Sequence, residues 1–227
     1  MPLVTPPRSE KVLAIDVGGS HVKFLLSGDG FERRRFESGP KLTASEMVEG
    51  VVRATGDWSY GKVSIGIPAP VHAGRVVVDP VNLGSGWAGF DFEKAFGRPT
   101  KVVNDAAMQA LGSYEGGTML FLGLGTGLGS ALVSDGIVEP MELGHLRFRK
   151  GTFEDYVGER GRKRRGEKKW LATVVEVIEA LAAALEPDEV VVGGGNAKRL
   201  GALPANVRLG ANSDAFRGGF RLWDPAS

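Results

Sequence analysis

Residues 15–26 read IDVGGSHVKFLL, two apolar runs separated by an acid, two glycines and a hydroxyl. Adjacent glycines between such runs are a hairpin signal, which makes the stretch a turn between paired strands. The same residues also suit a phosphate cradle. Gly18 and Gly19 let backbone N–H groups approach an anion, Ser20 donates a hydrogen bond, and Asp16 can hold Mg²⁺ directly or through water. Turn and cradle are both open until the rest of the chain supplies, or fails to supply, the partners of a phosphate site.

Working outward, KVLAIDV (11–17), HVKFLLS (21–27) and FERRRFE (31–37) predict an antiparallel meander joined by GGS and GDG. TASEMVEGVVRAT (43–55) places Met47, Val48, Val51 and Val52 at helical spacing, with Thr43 and Glu46 suited to a capping box. KVSIGIPAPV (62–71) reads as a buried strand ending at prolines, and RVVVDPVNL (75–83) as another strand entering a loop. KVVNDAAMQALGSYEGG (101–117) changes from strand to helix at Asn104–Asp105, so these polar side chains fall at a strand's carboxyl end beside a helix N-terminus.

The second half repeats the pattern. TMLFLGLGTGLGSALVSDG (118–136) predicts two strands around a glycine-rich turn. Leu171, Val174, Val175, Ile178, Leu181, Ala182 and Leu185 mark one face of a helix that Pro187 stops, and EVVVGGG (189–195) is a strand running into glycines. The expected architecture is α/β, with two related lobes, a boundary near Val103 and a cleft between them. Residues 1–103 form the first lobe and 104–227 the second, with the last residues an option for packing back on the first.

Bulk properties narrow the function. The chain has 227 residues, enough for one domain or two small lobes with a core. Net charge is +1, so overall charge favours neither a nucleic-acid nor a membrane partner, and any basic patch must be local. The absence of cysteine removes disulfides, thiolate nucleophiles and zinc–thiolate sites together. MPLVTPPRSEK lacks the apolar core of a signal peptide, and no run reaches the length of a membrane span, so a cytoplasmic protein is expected. The 34 glycines cluster at 18–19, 116–117, 123–129 and 193–195, and three of these clusters follow strand-like runs, where open α/β sheets bind ligands.

Common glycine motifs fit poorly. No GxxxxGK[ST] occurs, which excludes a standard P-loop. GLGTGLG fails the dinucleotide fingerprint because its third glycine is misplaced and SALVSDG after it reads as strand. DVGGS and GLGTGLG are then two turns, each offering backbone N–H groups and a hydroxyl from Ser20 or Thr126, and together they could clamp a chain of phosphates.

Phosphoryl transfer asks a protein for positioning, charge neutralisation and a residue that orients the nucleophile. Asp105 suits that last role as general base, a contribution of about 10²- to 10⁴-fold; it equally suits the N-terminal end of the helix beginning at Ala106. Asn104 beside it pairs an amide with a carboxylate, as fixing a polyol requires. Asn82, in VNLGSGW beside Trp87, adds another polar group, although Trp87 reads equally well as core. In MELGH, Glu142 and His145 lie within one turn, acceptor beside donor, as sugar hydroxyls require.

Taken together, IDVGGSHVKF, SIGIPAPV, NLGSGW, VVNDAAMQALG, FLGLGTGLGSALV, ELGH and VVVGGG resemble, in order, the signature segments of the ROK sugar kinases, especially the glucokinases and polyphosphate glucokinases. The resemblance spans about residues 11 to 200. It implies an actin-like ATPase (ribonuclease H-like) fold and transfer of a terminal phosphoryl group to a hexose hydroxyl, with the glucose 6-hydroxyl the first expectation. By the same likeness Asp105 is the base, and Asn82, Asn104, Glu142 and His145 are sugar ligands. Asp16, Gly18, Gly19, Ser20 and Lys23 serve the first phosphate loop, and Gly125, Thr126 and Gly127 the second, with Asp16 the metal residue. Gly193, Gly194 and Gly195 resemble the adenosine segment. Mg²⁺ is the implied cofactor, and ATP or inorganic polyphosphate the donor.

Departures from the family shape the remaining expectations. Most members carry a cysteine-rich zinc motif after ExGH; without cysteine, no zinc is expected and His145 keeps only its sugar role. FEDYVG resembles the family's LExYxSG, which makes Glu154 the second sugar-binding glutamate. About 50 residues separate His145 from Gly193, roughly half the family's span, so the second lobe is expected to be pared down. The family's repressors carry an N-terminal helix-turn-helix, for which nothing before Lys11 has room. A small-molecule sugar and a nucleotide or polyphosphate are the expected partners, without nucleic acid or membrane, and a homodimer is an option. One strong charge run remains, ERGRKRRGEKKW (159–170). It is either a solvated helix face or a local positive field for an anionic donor. A non-catalytic sugar or nucleotide sensor on the same scaffold is the alternative function.

Overall fold

The computed structural model describes residues 10–211 and 213–224. Residues 1–9 of MPLVTPPRSEK, the stretch compared with a signal peptide, lie outside the described residues, as do residue 212 and the last three residues. The chain divides into two compact units, Met1–Asp105 and Ala106–Ser227.

The first unit is built on a five-stranded sheet. β1 (Val12–Val17), β2 (His21–Leu26) and β3 (Arg34–Glu37) form the expected antiparallel meander, with Val17 opposite Val22 across the Gly18–Ser20 turn. α1 (Ala44–Ala54) starts as its sequence predicts: the Thr43 hydroxyl accepts from the Glu46 N–H, and the Glu46 carboxylate accepts from the Thr43 N–H at 2.9 Å. β4 (Lys62–Ile67) then pairs parallel with β1. A small hairpin of β5 (Val71–His72) and β6 (Arg75–Val76), the short helix α2 (Phe92–Phe96) and β7 (Thr100–Asn104) complete the unit. The strand order is β3-β2-β1-β4-β7. Central strands of such a sheet are covered on both faces, which is why β1 reads as a continuous apolar run with Leu13, Ala14 and Ile15 fully buried.

α3 (Asp105–Ser113) opens immediately after β7 and leads into the second unit. There β8 (Thr118–Leu124), β9 (Leu128–Ser134) and β10 (Ile137–Met141) form a second meander. The third of these strands is absent from the sequence-based expectation, because Pro140 and the polar Glu139 disguise it; both are tolerated at a sheet edge, where β10 lies. β11 (Arg147–Phe148) and β12 (Gly151–Thr152) form a short hairpin before α4 (Phe153–Val157), α5 (Glu159–Arg165) and α6 (Glu167–Leu185). β13 (Glu189–Gly193) and β14 (Val207–Leu209) add in parallel, giving the order β10-β9-β8-β13-β14. The two sheets therefore share one plan: a meander of three strands followed by two parallel strands beside its first.

Two packing details anchor the second unit. Trp170, fully buried, donates its indole N–H to the Val157 carbonyl at 2.7 Å and so ties α6 to α4. α7 (Asp214–Arg221) packs on α3 through glycines on both helices: a Cβ on Gly112 would run into the Asp214 carbonyl, and one on Gly218 into the Met108 carbonyl. The Arg221 guanidinium caps the same helix, donating to the Leu111 and Tyr114 carbonyls at 2.8 Å.

RVVVDPVNL departs from its expected strand. Only Arg75–Val76 pairs, and Val77 and Val78 stand about half exposed. Pro80 has no N–H for a ladder, and the Asp79 carboxylate instead collects the N–H groups of Gly86, Trp87 and Ala88, at 2.7 to 3.2 Å. Trp87 is core, fully buried, with its indole N–H donated to the Leu42 carbonyl. The basic run is broken at Gly166 (φ 76), so it forms α5 and the first turn of α6. No helix among the described residues is long and apolar enough to cross a membrane.

Candidate active site

In the first unit the parallel register brings the polar candidates to one edge. Asp16 is opposite Gly66 and Gly66 opposite Val103, so Asp16 and Asn104 end neighbouring rows of three parallel strands. At about 4.8 Å per strand, they stand roughly 10 Å apart across the sheet. Asn104 donates its side-chain amide to the Ala69 carbonyl at 3.3 Å, which orients it, and Asp105 begins α3 directly after. Both are partly buried. The Gly18–Ser20 turn is closed by the Gly18 N–H on the His21 carbonyl (3.0 Å) and braced by Ser38, whose N–H and hydroxyl go to the Ser20 and Gly18 carbonyls. Gly19 and Ser20 are exposed at its tip.

Asn82 also belongs to this edge. A Cβ on Gly19 would meet the Asn82 Cβ at 3.4 Å, ordinary van der Waals contact, so the loop carrying Asn82 runs beside the turn. Asp79 holds that loop from within, and its three N–H bonds, the one from Ala88 foremost, keep its carboxyl below the usual range. Lys23, opposite Asp16 on β2, places Nζ 3.0 Å from Asp16 Oδ2. The first turn therefore carries an ion pair at its base as well as N–H groups and a hydroxyl at its tip.

In the second unit the Gly125–Gly127 turn joins β8 to β9, with Thr126 exposed. The Glu159 N–H donates to both the Gly125 and Thr126 carbonyls at 3.1 Å. Gly158 lies tightly beneath: a Cβ there would be 2.6 Å from the Thr126 carbonyl oxygen. Gly193 of β13 is opposite Gly123 of β8, which sets the Gly193–Gly195 segment against the same turn. Gly194 (φ 84) presses on Leu124 backbone atoms closely enough to exclude any Cβ. Asn196 finishes the junction, its N–H on the Leu124 carbonyl and its amide on the Gly125 carbonyl (3.3 Å) and Glu159 Oε2 (3.1 Å).

Glu142, His145 and Glu154 come together beside this turn. His145 Nδ1 is 3.7 Å from Glu142 and its Nε2 is 3.9 Å from Glu154, distances beyond a hydrogen bond but within ion-pair range. A Cβ on Gly127 would collide with the Glu154 carboxylate, so that group lies directly over the turn. The histidine ring is about two-thirds exposed and open to a hydroxyl-rich ligand.

Sequence reading missed Asp79, Glu159 and Asn196, which fix the loops without belonging to a glycine motif. Glu159 is held to a pKa of about 2 chiefly by the Arg162 guanidinium, 2.8 Å away, with the Asn196 amide assisting. Its one sequence signal is position: the residue after VG at a helix start, where an acid suits the dipole. The basic run is in part neutralised from within, since Arg162 pairs with Glu159 and Glu167, Arg160 with Asp155, and Lys163 with Glu159.

The chain is similar to known proteins in sequence and in fold. The ROK family model matches residues 12–160. Polyphosphate glucokinase of Mycobacterium tuberculosis is 27% identical over 208 residues, covering 82% of this chain and 77% of that protein. The inorganic polyphosphate/ATP-glucomannokinase structure from Arthrobacter sp. strain KM superposes with a TM-score of 0.78 at 24% identity, over 93% of this chain and 97% of that one. A ROK family glucokinase from Streptomyces griseus, in complex with glucose and AMPPNP, gives 0.73 at 18% identity, over 93% and 98%. The doubled meander-plus-parallel sheet is thus the actin-like ATPase fold, and the chain belongs to the ROK family.

Proposed function

We propose that the chain is a hexose kinase, transferring a phosphoryl group from ATP or inorganic polyphosphate to a sugar hydroxyl, with the glucose 6-hydroxyl the first acceptor to test. The observation that carries this reading is the shared edge of the first sheet, where Asp16, the Gly18–Ser20 turn, Asn82, Asn104 and Asp105 collect. On this reading Asp105 takes the hydroxyl proton, Asn82 and Asn104 hold neighbouring hydroxyls, and Glu142, His145 and Glu154 complete the sugar contacts. Ser20, Thr126 and the N–H groups at the tips of both glycine turns hold donor phosphates, the Gly18 and Gly125 N–H groups being spent within their own turns on the His21 and Gly127 carbonyls, and Gly193–Gly195 receives the nucleoside.

The residues fit Mg²⁺. Asp16 is a mostly buried carboxylate whose charge is shared with Lys23, and Mg²⁺ needs only one or two carboxylates when phosphates and water supply the rest. Bound there, the metal would neutralise charge on the transferring phosphates. The Mycobacterium tuberculosis relative and the Arthrobacter structure are both named for polyphosphate, which supports testing both donors.

A coupled assay over a hexose panel, with ATP and with polyphosphate, tests the reading on the intact chain and on Asp105→Ala. Turnover that falls by about 10²-fold or more in the variant is the expected result. No turnover with either donor removes the kinase reading in favour of a sugar or nucleotide sensor, and full activity in Asp105→Ala removes the proposed base.

A further inference from the structure

Between Arg147 and Lys169 the chain carries ten basic and four acidic side chains, although the whole chain is only +1. Several of these cations are spent locally: Arg149 pairs with Glu176, and Arg160, Arg162 and Lys163 with the acids of α4 to α6. Among the described residues, Lys150, Arg164 and Arg165 make no ion pair. These three, with Gly151, Asp155 and Tyr156, line a cavity of about 310 Å³. Arg165 stacks over the Tyr156 ring at 4.9 Å and Arg164 at 5.8 Å. Stacking uses the face of a guanidinium and leaves its in-plane N–H groups for oxyanions. Arg164 donates one bond to the Asp155 carbonyl, whereas Arg165 Nη1 is buried with no hydrogen-bond partner among the described residues. A buried, unpartnered charged donor is unfavourable unless a ligand answers it. Asp155, the single acid in the lining, accepts from the Thr152 N–H and hydroxyl and faces both Arg160 and Arg164, so it offsets part of the Arg164 charge and leaves Arg165 and Lys150 as the uncompensated cations of the cavity.

The cavity is separate from the second glycine turn. Glu154 lies over Gly127, and Tyr156, two residues later on α4, points about 200° around the helix. The two sites are therefore on opposite sides of α4, roughly 10 Å apart. We propose that the Tyr156 cavity is a phosphoryl-oxyanion subsite that holds the distal part of a linear inorganic polyphosphate. The choice of that ligand rests on the kinase reading. A donor whose reacting end is at Thr126 reaches Tyr156 only if phosphates continue around α4, which a long polyphosphate supplies and a nucleoside triphosphate does not.

Titration calorimetry on the full chain tests this without turnover, using long-chain polyphosphate, tripolyphosphate and inorganic phosphate as separate probes. Arg164→Gln with Arg165→Gln should weaken long-chain polyphosphate at least about tenfold and flatten its log K against log salt slope by roughly 1.5. Arg33→Gln, an exposed charge in the first unit, should change binding less than about twofold. Unchanged binding in the double variant overturns the subsite. An equal loss in Arg33→Gln overturns it too, since a general field would then be the cause. So does equal affinity for phosphate and the long chain. If the double variant unfolds, Arg165→Lys keeps the charge without the stacked fork, and wild-type affinity there counts against the proposal while a loss of about threefold or more supports it. Arginine-dependent binding in a chain that phosphorylates no hexose would sink the kinase reading and leave the subsite standing.

Discussion

Gly158→Ala tests whether the second glycine turn is a rigid donor seat. Gly158 has φ −72 and ψ 175, a backbone any residue adopts, so the added methyl is the whole perturbation. That methyl would lie 2.6 Å from the Thr126 carbonyl oxygen, 2.8 Å from that of Glu154 and 3.1 Å from the Gly127 Cα. Contact becomes ordinary at 3.4 Å, so the turn must retreat by about 0.8 Å. All three neighbours are backbone, which a rotamer change cannot move. Overpacking of this kind costs about 1–3 kcal/mol, which for a chain this size lowers the melting midpoint by roughly 2–12 °C. A donor misplaced by nearly 1 Å loses on the order of 10²-fold in rate. The assay is kcat/KM for the donor together with thermal melting by circular dichroism. Gly201→Ala, where a Cβ meets nothing within 4 Å, serves as the control. Wild-type melting and donor kinetics in Gly158→Ala would refute the reasoning, because the turn would have room to adapt or would not hold the donor.

Further predictions follow from single contacts. Asp16→Ala strips Lys23 of its partner and should abolish phosphoryl transfer while hexose affinity, read by calorimetry, stays largely unchanged; a parallel loss of sugar binding contradicts the role given to Asp16. Trp170→Phe leaves the buried Val157 carbonyl without the indole N–H and should cost about 1–3 kcal/mol, so a midpoint within about 1 °C of wild type speaks against it. The Glu159 carboxyl is depressed by Arg162 from 4.5 to about 2, so its stabilisation is complete above the unfolded value and is lost as pH falls from about 4.5 through about 2. The difference in urea midpoint between wild type and Glu159→Gln should accordingly shrink across that window, and a difference independent of pH would show that the ion pair is idle.

Local features were legible because short-range chemistry decides them. The GGS turn needs only two glycines between apolar runs, the Thr43–Glu46 box closes within one helical turn, and the change at Asn104–Asp105 coincides with a change of period from strand to helix. Features set at long range were not. RVVVDPVNL has the composition of a strand, yet Asp79 captures three N–H groups seven to nine residues ahead and Val77 and Val78 are left half exposed. β10 is weakly patterned because an edge strand tolerates Pro140. Glu159 could be read as one acid before a basic run, but its grip on Gly125 and Asn196 spans 34 and 37 residues of chain. The glycine turns advertised themselves, whereas the residues that hold them still did not.

The crossing of α3 and α7 has a consequence for the candidate base. Gly112 and Gly218 let the two backbones touch, and Arg221 locks the far end of α3 through its carbonyls. Asp105 is seven residues up the same rod from Gly112, about 10 Å at 1.5 Å per residue. A stiff rod gripped at its base transmits tilt to its tip. On the reading that makes Asp105 the base, the C-terminal helix, which brings no candidate chemistry of its own, would help set the aim of the carboxylate at the other end, and a methyl added to either glycine would be felt there as a tilt of α3.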